Sequence, residues 1–307
     1  MRISTQSFYE QSRTAMGAQQ NNLLRVQQQL GAGTKILAPS DDPLGATRVL
    51  AVSQSIAVNA QYAASRAQAR QTLSMEENAL QSVTTVLQTV KTQLIQAGGT
   101  LTDADRATIA TTLQSNLDQL QGLANSDDGN GQFLFAGFKS GTAPFVRQPS
   151  PVGVSYVGDQ GQRLMQVDVS RQMAGTDDGR SIFQSAGADV FATLDTVIAA
   201  LKTPVDNAGA LAQKNMMDAL GKANREITMA HDNVLTVRSS VGSRLQELDA
   251  LDVTGDSRTL FDKSYLSDLQ DLDYASAIAE FYQRQTALQA SQQTFVKIQQ
   301  IALFNYL

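Results

Sequence analysis

Few side chains in this sequence could carry chemistry, and the first to consider is the single histidine, His231. A single histidine argues against a Ser-His-Asp catalytic triad and against a metal site built from several histidines. The chain also has no cysteine to act as nucleophile, thiolate ligand or disulfide partner. We therefore expect His231 on a polar helix face. The sequence predicts no catalytic, cofactor-binding or metal-binding residue and no cofactor, so we expect that the protein is not an enzyme.

Acidic side chains offer a second possible chemistry, which is cation binding. The longest acidic stretch, 247–273, has no spacing that brings oxygens together in a compact loop, which favours a solvated helix face and helix caps. The shorter stretches 126–131 (SDDGNG) and 176–179 (TDDG) lack the alternating ligands and the distant Glu of an EF-hand. Asp-Gly and Asn-Gly are typical of tight turns, so we predict that both are turns.

The composition excludes several classes of partner. The net charge is −5 and no Lys/Arg cluster is present, which argues against nucleic acid. The most apolar window, 190–201, is too short to span a membrane, and the N-terminal MRISTQSFYEQSRTAMG lacks the apolar core of a Sec signal peptide. Aromatic residues make up only 6% of the chain, so the core must consist mainly of Leu, Val, Ile and Ala, as in helical bundles.

Apolar residues recur every seven positions in four segments, which predicts long helices with narrow apolar stripes. The rows are Tyr9, Met16, Leu23 and Leu30; Leu73, Leu80, Leu87, Leu94 and Leu101; Leu220, Ile227, Val234, Val241 and Leu248; and Tyr274, Phe281, Leu288, Phe295 and Ala302. The second row has Val83, Val90 and Ala97 in its other seam position, a strong coiled-coil pattern. We predict that the second and third rows pair in a bundle core.

Turn and capping residues mark where these helices begin and end. The stretch APSDDPLGAT (38–47) separates two helices, because Asp42 can accept hydrogen bonds from free N–H groups while Pro43 suits the first helical position. One helix is predicted from 43 to 97, and Thr102 with Asp105 resembles a capping box. We also predict a helix at 189–202, another from about 211, and a break at Gly255.

The segment 126–203 differs in character from the rest of the chain. Gly-rich turns bracket short runs of β-branched and aromatic residues, and 164–169 alternates like a strand with one buried face. The predicted fold class is mainly α with a small β insert: a discontinuous, elongated helical bundle with terminal coiled-coil helices and a β-rich tip. The predicted domains are 1–40 with 266–307 (terminal assembly helices, an inner layer), 41–125 with 204–265 (bundle core), and 126–203 (β-rich insert).

The terminal helices carry less apolar surface than an isolated pair of helices needs. The last segment has Gln285, Gln292 and Gln299 in its second seam position. We therefore expect the ends to be completed by neighbouring molecules, as in an assembly subunit. The candidate assembly residues are Tyr9, Met16, Leu23, Leu30, Phe281, Leu288, Phe295 and Ile298.

Several segments together resemble the bacterial flagellin family and, within it, the branch that forms the junction between hook and filament. The turn APSDDPLGAT after QQQLGAGTKI is similar to the family's N-terminal signature, and its Asp-Asp-Pro variant favours the junction branch over flagellin. GQFLFAGFKSGTAPF and YVGDQGQR resemble the start of that branch's β domain. VGSRLQELD, LSDLQDLDYASAIAEF and QASQQTFVKIQQIALFNYL resemble its C-terminal signature. The matches occur in the family's order along nearly the whole chain.

The resemblance implies a structural protein that joins two unlike helical polymers by packing alone. It implies export through the flagellar type III apparatus to the cell exterior, without a Sec signal. The implied partners are hook-associated protein 1 on the hook side, flagellin on the filament side, copies of the chain in a ring, and an export chaperone. In this interpretation the turn residues Asp41, Asp42, Pro43 and Gly45 separate the inner layer from the next.

Two rival functions stay open at this point. The nearer is flagellin itself, the self-polymerising filament subunit, which shares the N-terminal signature. The other is a secreted enzyme or adhesin with its activity in the insert, for which 126–203 shows no catalytic constellation.

Overall fold

The computed structural model describes residues 2–149, 152–185, 187–206 and 208–304, and its description leaves out the side chains of 2–6, 8, 149, 152 and 298–304. The helices are α1 (Arg2–Ala32), α2 (Pro43–Ala97), α3 (Asp103–Ala124), α4 (Gly179–Phe183), α5 (Val190–Lys202), α6 (Ala210–Gln270) and α7 (Tyr274–Phe304). The strands are β1 (Phe145–Pro149), β2 (Val152–Tyr156), β3 (Leu164–Asp168), β4 (Arg171–Ala174), β5 (Gln184–Ser185) and β6 (Ala188–Asp189). The predicted fold class, mainly α with a small β insert, is confirmed.

The chain divides into two compact units. Unit 1 comprises Met1–Asn59 with Asp256–Leu307, and unit 2 comprises Ala60–Gly255. Both α2 and α6 contribute residues to each unit. Almost every buried apolar side chain that the structure describes belongs to unit 2.

The core of unit 2 follows the predicted heptad rows. Leu73, Leu80, Leu87 and Leu94 of α2 are buried, as are all five members of the row that starts at Leu220 on α6. The two helices run antiparallel, since Arg238 donates to Glu77 over 2.6 Å while His231 lies beside Gln88 further along α2. The capping box at Thr102 and Asp105 is present and begins α3.

The insert is built from three antiparallel hairpins, β1–β2, β3–β4 and β5–β6. Phe145 lies at its centre, with its ring centroid 5.2–5.4 Å from those of Tyr156, Phe183 and Phe191. Helix α5 packs against α3, so the aromatic cluster is continuous with the helical core. A small core of large rings thus holds short strands that could not be stable alone.

Two local predictions are wrong. Helix α6 continues through Gly255 to Gln270: this glycine is buried, and a single glycine costs a long helix only about 1 kcal/mol. The stretch 176–179 is not a hairpin turn: Asp178 accepts from the Ser181 N–H over 2.9 Å and caps α4. The other stretch does form a turn, where Asp127 and Phe133 make an isolated antiparallel bridge.

Candidate assembly interface

The terminal helices α1 and α7 form an antiparallel pair in unit 1. Near one end, the rings of Tyr9 and Phe295 meet edge to face with centroids 5.9 Å apart. Near the other end, the Leu272 N–H donates to the Gly33 carbonyl over 3.0 Å, and the Lys35 N–H donates to the Gln270 carbonyl over 2.8 Å. One member of each terminal apolar row, Tyr9 and Phe295, therefore meets the other within one molecule.

This pair buries little apolar surface. Among the described side chains of α1 and α7, the buried apolar ones are Val26, 1% exposed, and Ala277, 6% exposed. The candidate assembly residues with described side chains are all half-buried: Tyr9, Met16, Leu23, Leu30, Phe281, Leu288 and Phe295. The side chain of Ile298 lies outside the described residues. These half-buried side chains leave apolar surface exposed to solvent, and a neighbouring molecule could bury it.

A groove runs between the two helices, lined by small side chains and by two large ones. It encloses about 300 Å³ and is lined by Ser12, Ala15, Met16, Ala290, Ser291, Thr294 and Phe295. The groove is open to solvent and lies along the part of α1 that carries the first apolar row.

The turn between α1 and α2 is fixed by carboxylates, as the sequence predicts. Asp41 accepts from the Leu37 and Ala38 N–H groups, and Asp42 accepts from the Gly45 N–H over 2.9 Å, next to Pro43 at the helix start. A Cβ on Gly45 would lie 2.8 Å from Ile36 Cδ1 and closer still to Asp42.

The absence of a side chain at Gly45 therefore lets the start of α2 approach the preceding loop.

The α6–α7 connection lies beside the end of α1. The Lys35 ammonium donates to the Asp268 carbonyl over 2.7 Å. Asp273 accepts from the Ser276 hydroxyl over 2.7 Å and caps α7, and these hydrogen bonds lower the pKa of its carboxyl. Gly33 has a φ of +71°, in the left-handed region that suits a helix end. Main-chain hydrogen bonds and capping contacts, more than buried apolar side chains, thus hold the end of α1 beside the start of α7.

The groups considered for chemistry are used in structural contacts. His231 is half-buried, with Nδ1 3.6 Å from Asp232. Asp249 and Asp252 of the long acidic stretch form ion pairs with Arg70. Burial alone would raise the pKa of Asp252, but hydrogen bonds from Arg66 and Arg70 outweigh the effect of burial, and the pKa is lowered. Within the described ranges, no group of three or more His, Cys, Asp or Glu side chains could hold a metal ion.

Unit 2 contains buried ionic groups that sequence reasoning missed. Arg66 is 2% exposed and bonds to Asp252 and, over 3.1 Å, to the Val167 carbonyl of β3. Glu76 is fully buried and accepts from the Asp177 N–H over 3.2 Å. Burial, together with the nearby charge of Asp177, raises the pKa of Glu76 to about 8.

Further arginines on α6 and in the insert make similar links. Arg244 bonds to Asp177 and, over 3.1 Å, to the Ala174 carbonyl of β4, and Arg171 makes a two-point pair with Glu247. Polar side chains therefore fasten the insert to α2 and α6 within unit 2.

Comparison with known proteins decides the family. Residues 3–140 match the family described as the bacterial flagellin N-terminal helical region. Over 318 residues, the chain is 41% identical to flagellar hook-associated protein 3 of Salmonella typhimurium and 39% identical to the protein of that name from Escherichia coli. Each match covers 99% of both chains. The chain belongs to the flagellar hook-associated protein 3 family.

The solved structures agree with this family. A flagellar hook-associated protein from Vibrio parahaemolyticus is similar with a TM-score of 0.65 and 27% identity, covering 75% of this chain and 100% of that one. The flagellar hook-associated protein 3 family consists of structural flagellar proteins, and the resemblance predicted from the sequence motifs is confirmed. In the described part of the chain, the helices are not long and apolar enough to cross a membrane.

Proposed function

We propose that this protein is a structural component of the bacterial flagellum that joins the hook to the flagellin filament. The observation that carries the proposal is the similarity to flagellar hook-associated protein 3 along 99% of the chain. The alternative, a self-polymerising flagellin, is less supported because the full-length relatives carry the hook-associated name. The protein acts by packing, without catalysis.

The terminal pair is the proposed assembly surface. Its two buried apolar side chains stabilise α1 and α7 only weakly, since each contributes at most a few kcal/mol against the entropy of ordering two long helices. Unit 1 also has large apolar side chains that are exposed to solvent, including Leu260 (73% exposed) and Phe261 (72% exposed). Neighbouring subunits would cover such surface. The proposed interface comprises Tyr9, Met16, Leu23, Leu30, Phe281, Leu288, Phe295 and Ile298.

The proposed partners differ on the two sides of the junction. Hook-associated protein 1 lies on the hook side, flagellin lies on the filament side, and copies of this chain form a ring between them. An export chaperone accompanies the chain, which is exported and works outside the cell. In the assembled ring, 1–40 with 266–307 form the inner layer, 41–125 with 204–265 the next, and 126–203 the outer insert.

Addition of the purified protein to hooks that end in hook-associated protein 1 tests the junction role. We expect electron microscopy to show one short ring, after which added flagellin extends a filament. Long extension by this protein alone would favour the flagellin alternative, and hooks that bind nothing would refute the junction role.

A matched pair of variants on α7 tests the proposed surface. Phe295→Ala removes the ring that meets Tyr9 and should weaken ring formation, whereas Gln289→Ala alters an exposed polar side chain of the same helix and should not. Equal ring formation by both variants would contradict the assignment of Phe295. The thermal unfolding transition of unit 2, followed by circular dichroism, should match that of the parent in each variant, because the core of unit 2 is unchanged.

Removal of about thirty residues from either end tests whether the core of unit 2 is independent of the terminal pair, since α1 and α7 are each 31 residues long. We expect a soluble monomer that keeps the helical circular dichroism of unit 2 and cannot assemble. Loss of the unit 2 signal on truncation would contradict the proposal.

A further inference from the structure

We propose that Asn130 is a site of spontaneous deamidation, through which the loop 127–133 gains a negative charge with time. The site is independent of the junction function. It rests on one dipeptide of the sequence and on the environment that the fold gives it.

Asn130-Gly131 is the single Asn-Gly dipeptide in the 307 residues. Deamidation begins when the main-chain nitrogen after an asparagine attacks the side-chain carbonyl carbon. A glycine in the following position hinders this attack least, because it has no Cβ and has access to the widest range of backbone angles.

The fold leaves this dipeptide open to solvent. Asn130 and Gly131 are both exposed, and apart from the adjacent residues of the chain no atom lies within 4 Å of where a Cβ of Gly131 or of Gly129 would be. Gly131 has a φ of +81°. Within the described part of the chain, its N–H donates no hydrogen bond, so the attacking nitrogen is not held by the fold.

The loop is held on either side of the reacting atoms. Asp128 accepts from the Asn130 N–H over 2.9 Å and from the Gln132 N–H over 3.1 Å. These contacts keep Asn130 in the loop while its carbonyl carbon and the Gly131 nitrogen stay accessible.

Other asparagines are in less reactive settings. Most of the described ones lie inside helices, where the next N–H bonds to a carbonyl four residues earlier: Asn21, Asn22, Asn59, Asn78, Asn116, Asn215, Asn224 and Asn233. Asn125 follows α3, and the next N–H, that of Ser126, donates to the Leu123 carbonyl over 3.1 Å. A bonded N–H cannot attack without local opening, so the fold favours reaction at Asn130.

The reaction balances with water as the only co-reactant. The Gly131 nitrogen bonds to Cγ of Asn130, the Cγ–Nδ2 bond breaks, and ammonia leaves with the proton that the nitrogen gives up through solvent. Water then opens the five-membered imide at one carbonyl or the other. The products are aspartate and isoaspartate, each with a new carboxylate.

The product changes the loop in a defined way. A third carboxylate appears beside Asp127 and Asp128, and isoaspartate also lengthens the main chain by one carbon inside the bridge from Asp127 to Phe133. Because hydrolysis of the amide is irreversible in water, the modified fraction records the time since the chain was made.

The test incubates the full folded chain in neutral and mildly alkaline buffer and follows each asparagine by peptide mass spectrometry. A synthetic peptide of residues 125–136 is incubated alongside. We expect conversion at Asn130 within about tenfold of the peptide's rate, since exposed loops open at almost no free-energy cost. Conversion should be faster in the alkaline buffer. An unmodified Asn130 at a time when the peptide has converted would overturn the proposal.

A matched variant and an internal control complete the test. Asn130→Gln keeps the amide but lengthens the side chain, so cyclisation would need a six-membered ring, and conversion at position 130 should disappear. Its persistence would overturn the assignment, as would equal conversion at the helical Asn233. Circular dichroism checks that both chains stay folded throughout.

Discussion

Replacement of Arg66 by Met tests whether buried ionic contacts hold the insert on the helices. The side chain is 2% exposed and bonds to Asp252 of α6 and to the Val167 carbonyl of β3. Met keeps much of the aliphatic stem but removes both contacts. The Val167 carbonyl then lacks its donor, which costs about 1–3 kcal/mol, whereas Asp252 keeps Arg70 at 2.6 Å.

The expected loss of stability is about 2–4 kcal/mol, below the usual cost of breaking a fully buried pair because Asp252 retains a partner. For a unit of this size, the loss corresponds to a fall in Tm of roughly 4–16 °C. Thermal unfolding followed by circular dichroism, with urea unfolding as a second measurement, gives the number.

The matched control is Arg171→Met, which affects the same β3–β4 hairpin. Arg171 and its partner Glu247 are both partly exposed, so solvent screens their attraction, and we expect a small effect. A double-mutant cycle of Arg66→Met with Asp252→Asn should show coupling of about 1–3 kcal/mol. Equal losses for Arg66→Met and Arg171→Met, or no coupling, would refute the reasoning.

Three further variants have clear expected outcomes. Burial raises the pKa of Glu76 above its unfolded value, so the free energy of unfolding should fall as pH rises from about 4.5 to about 8. Glu76→Gln should abolish this fall and stabilise the protein by about 1–3 kcal/mol at neutral pH. Urea unfolding across this pH range measures both effects. Gly33→Ala places a Cβ at positive φ, 2.9 Å from the Tyr274 hydroxyl, and should speed hydrogen exchange in α1 and α7. Gly45→Ala combined with Pro43→Ala should impair attachment to hooks through the clashes at that turn, whereas Gly17→Ala meets no atom within 4 Å and should not.

The sequence periodicity predicted the helical core because a seven-residue repeat is a direct consequence of helix geometry. The α2 bounds 43–97 and the α3 cap were predicted correctly, since Pro43 and Thr102 act through local chemistry. The resemblance motifs identified the family. The assembly residues and the layer boundaries stay predictions, because they concern contacts with other molecules.

The buried ionic groups were missed although the repeat contained a signal for them. Arg66 lies seven residues before Leu73, and Glu76 lies seven residues before Val83, so both occupy seam positions of the same heptad pattern. A charge at a seam position indicates a buried partner. The identity of that partner depends on the insert, whose hairpins pair through contacts distant in sequence, and a one-dimensional pattern carries no such information.

The scarcity of buried apolar residues in α1 and α7 also determines what calorimetry of the isolated protein would report. The heat-capacity change on unfolding arises mainly from newly hydrated apolar surface. With two apolar side chains buried in the described part of the terminal helices, their melting adds little to this heat-capacity change and has little packing to make it cooperative, so it spreads over a wide temperature range. The endotherm would belong to residues 60–255. A second, cooperative transition would then emerge when the protein enters its polymer.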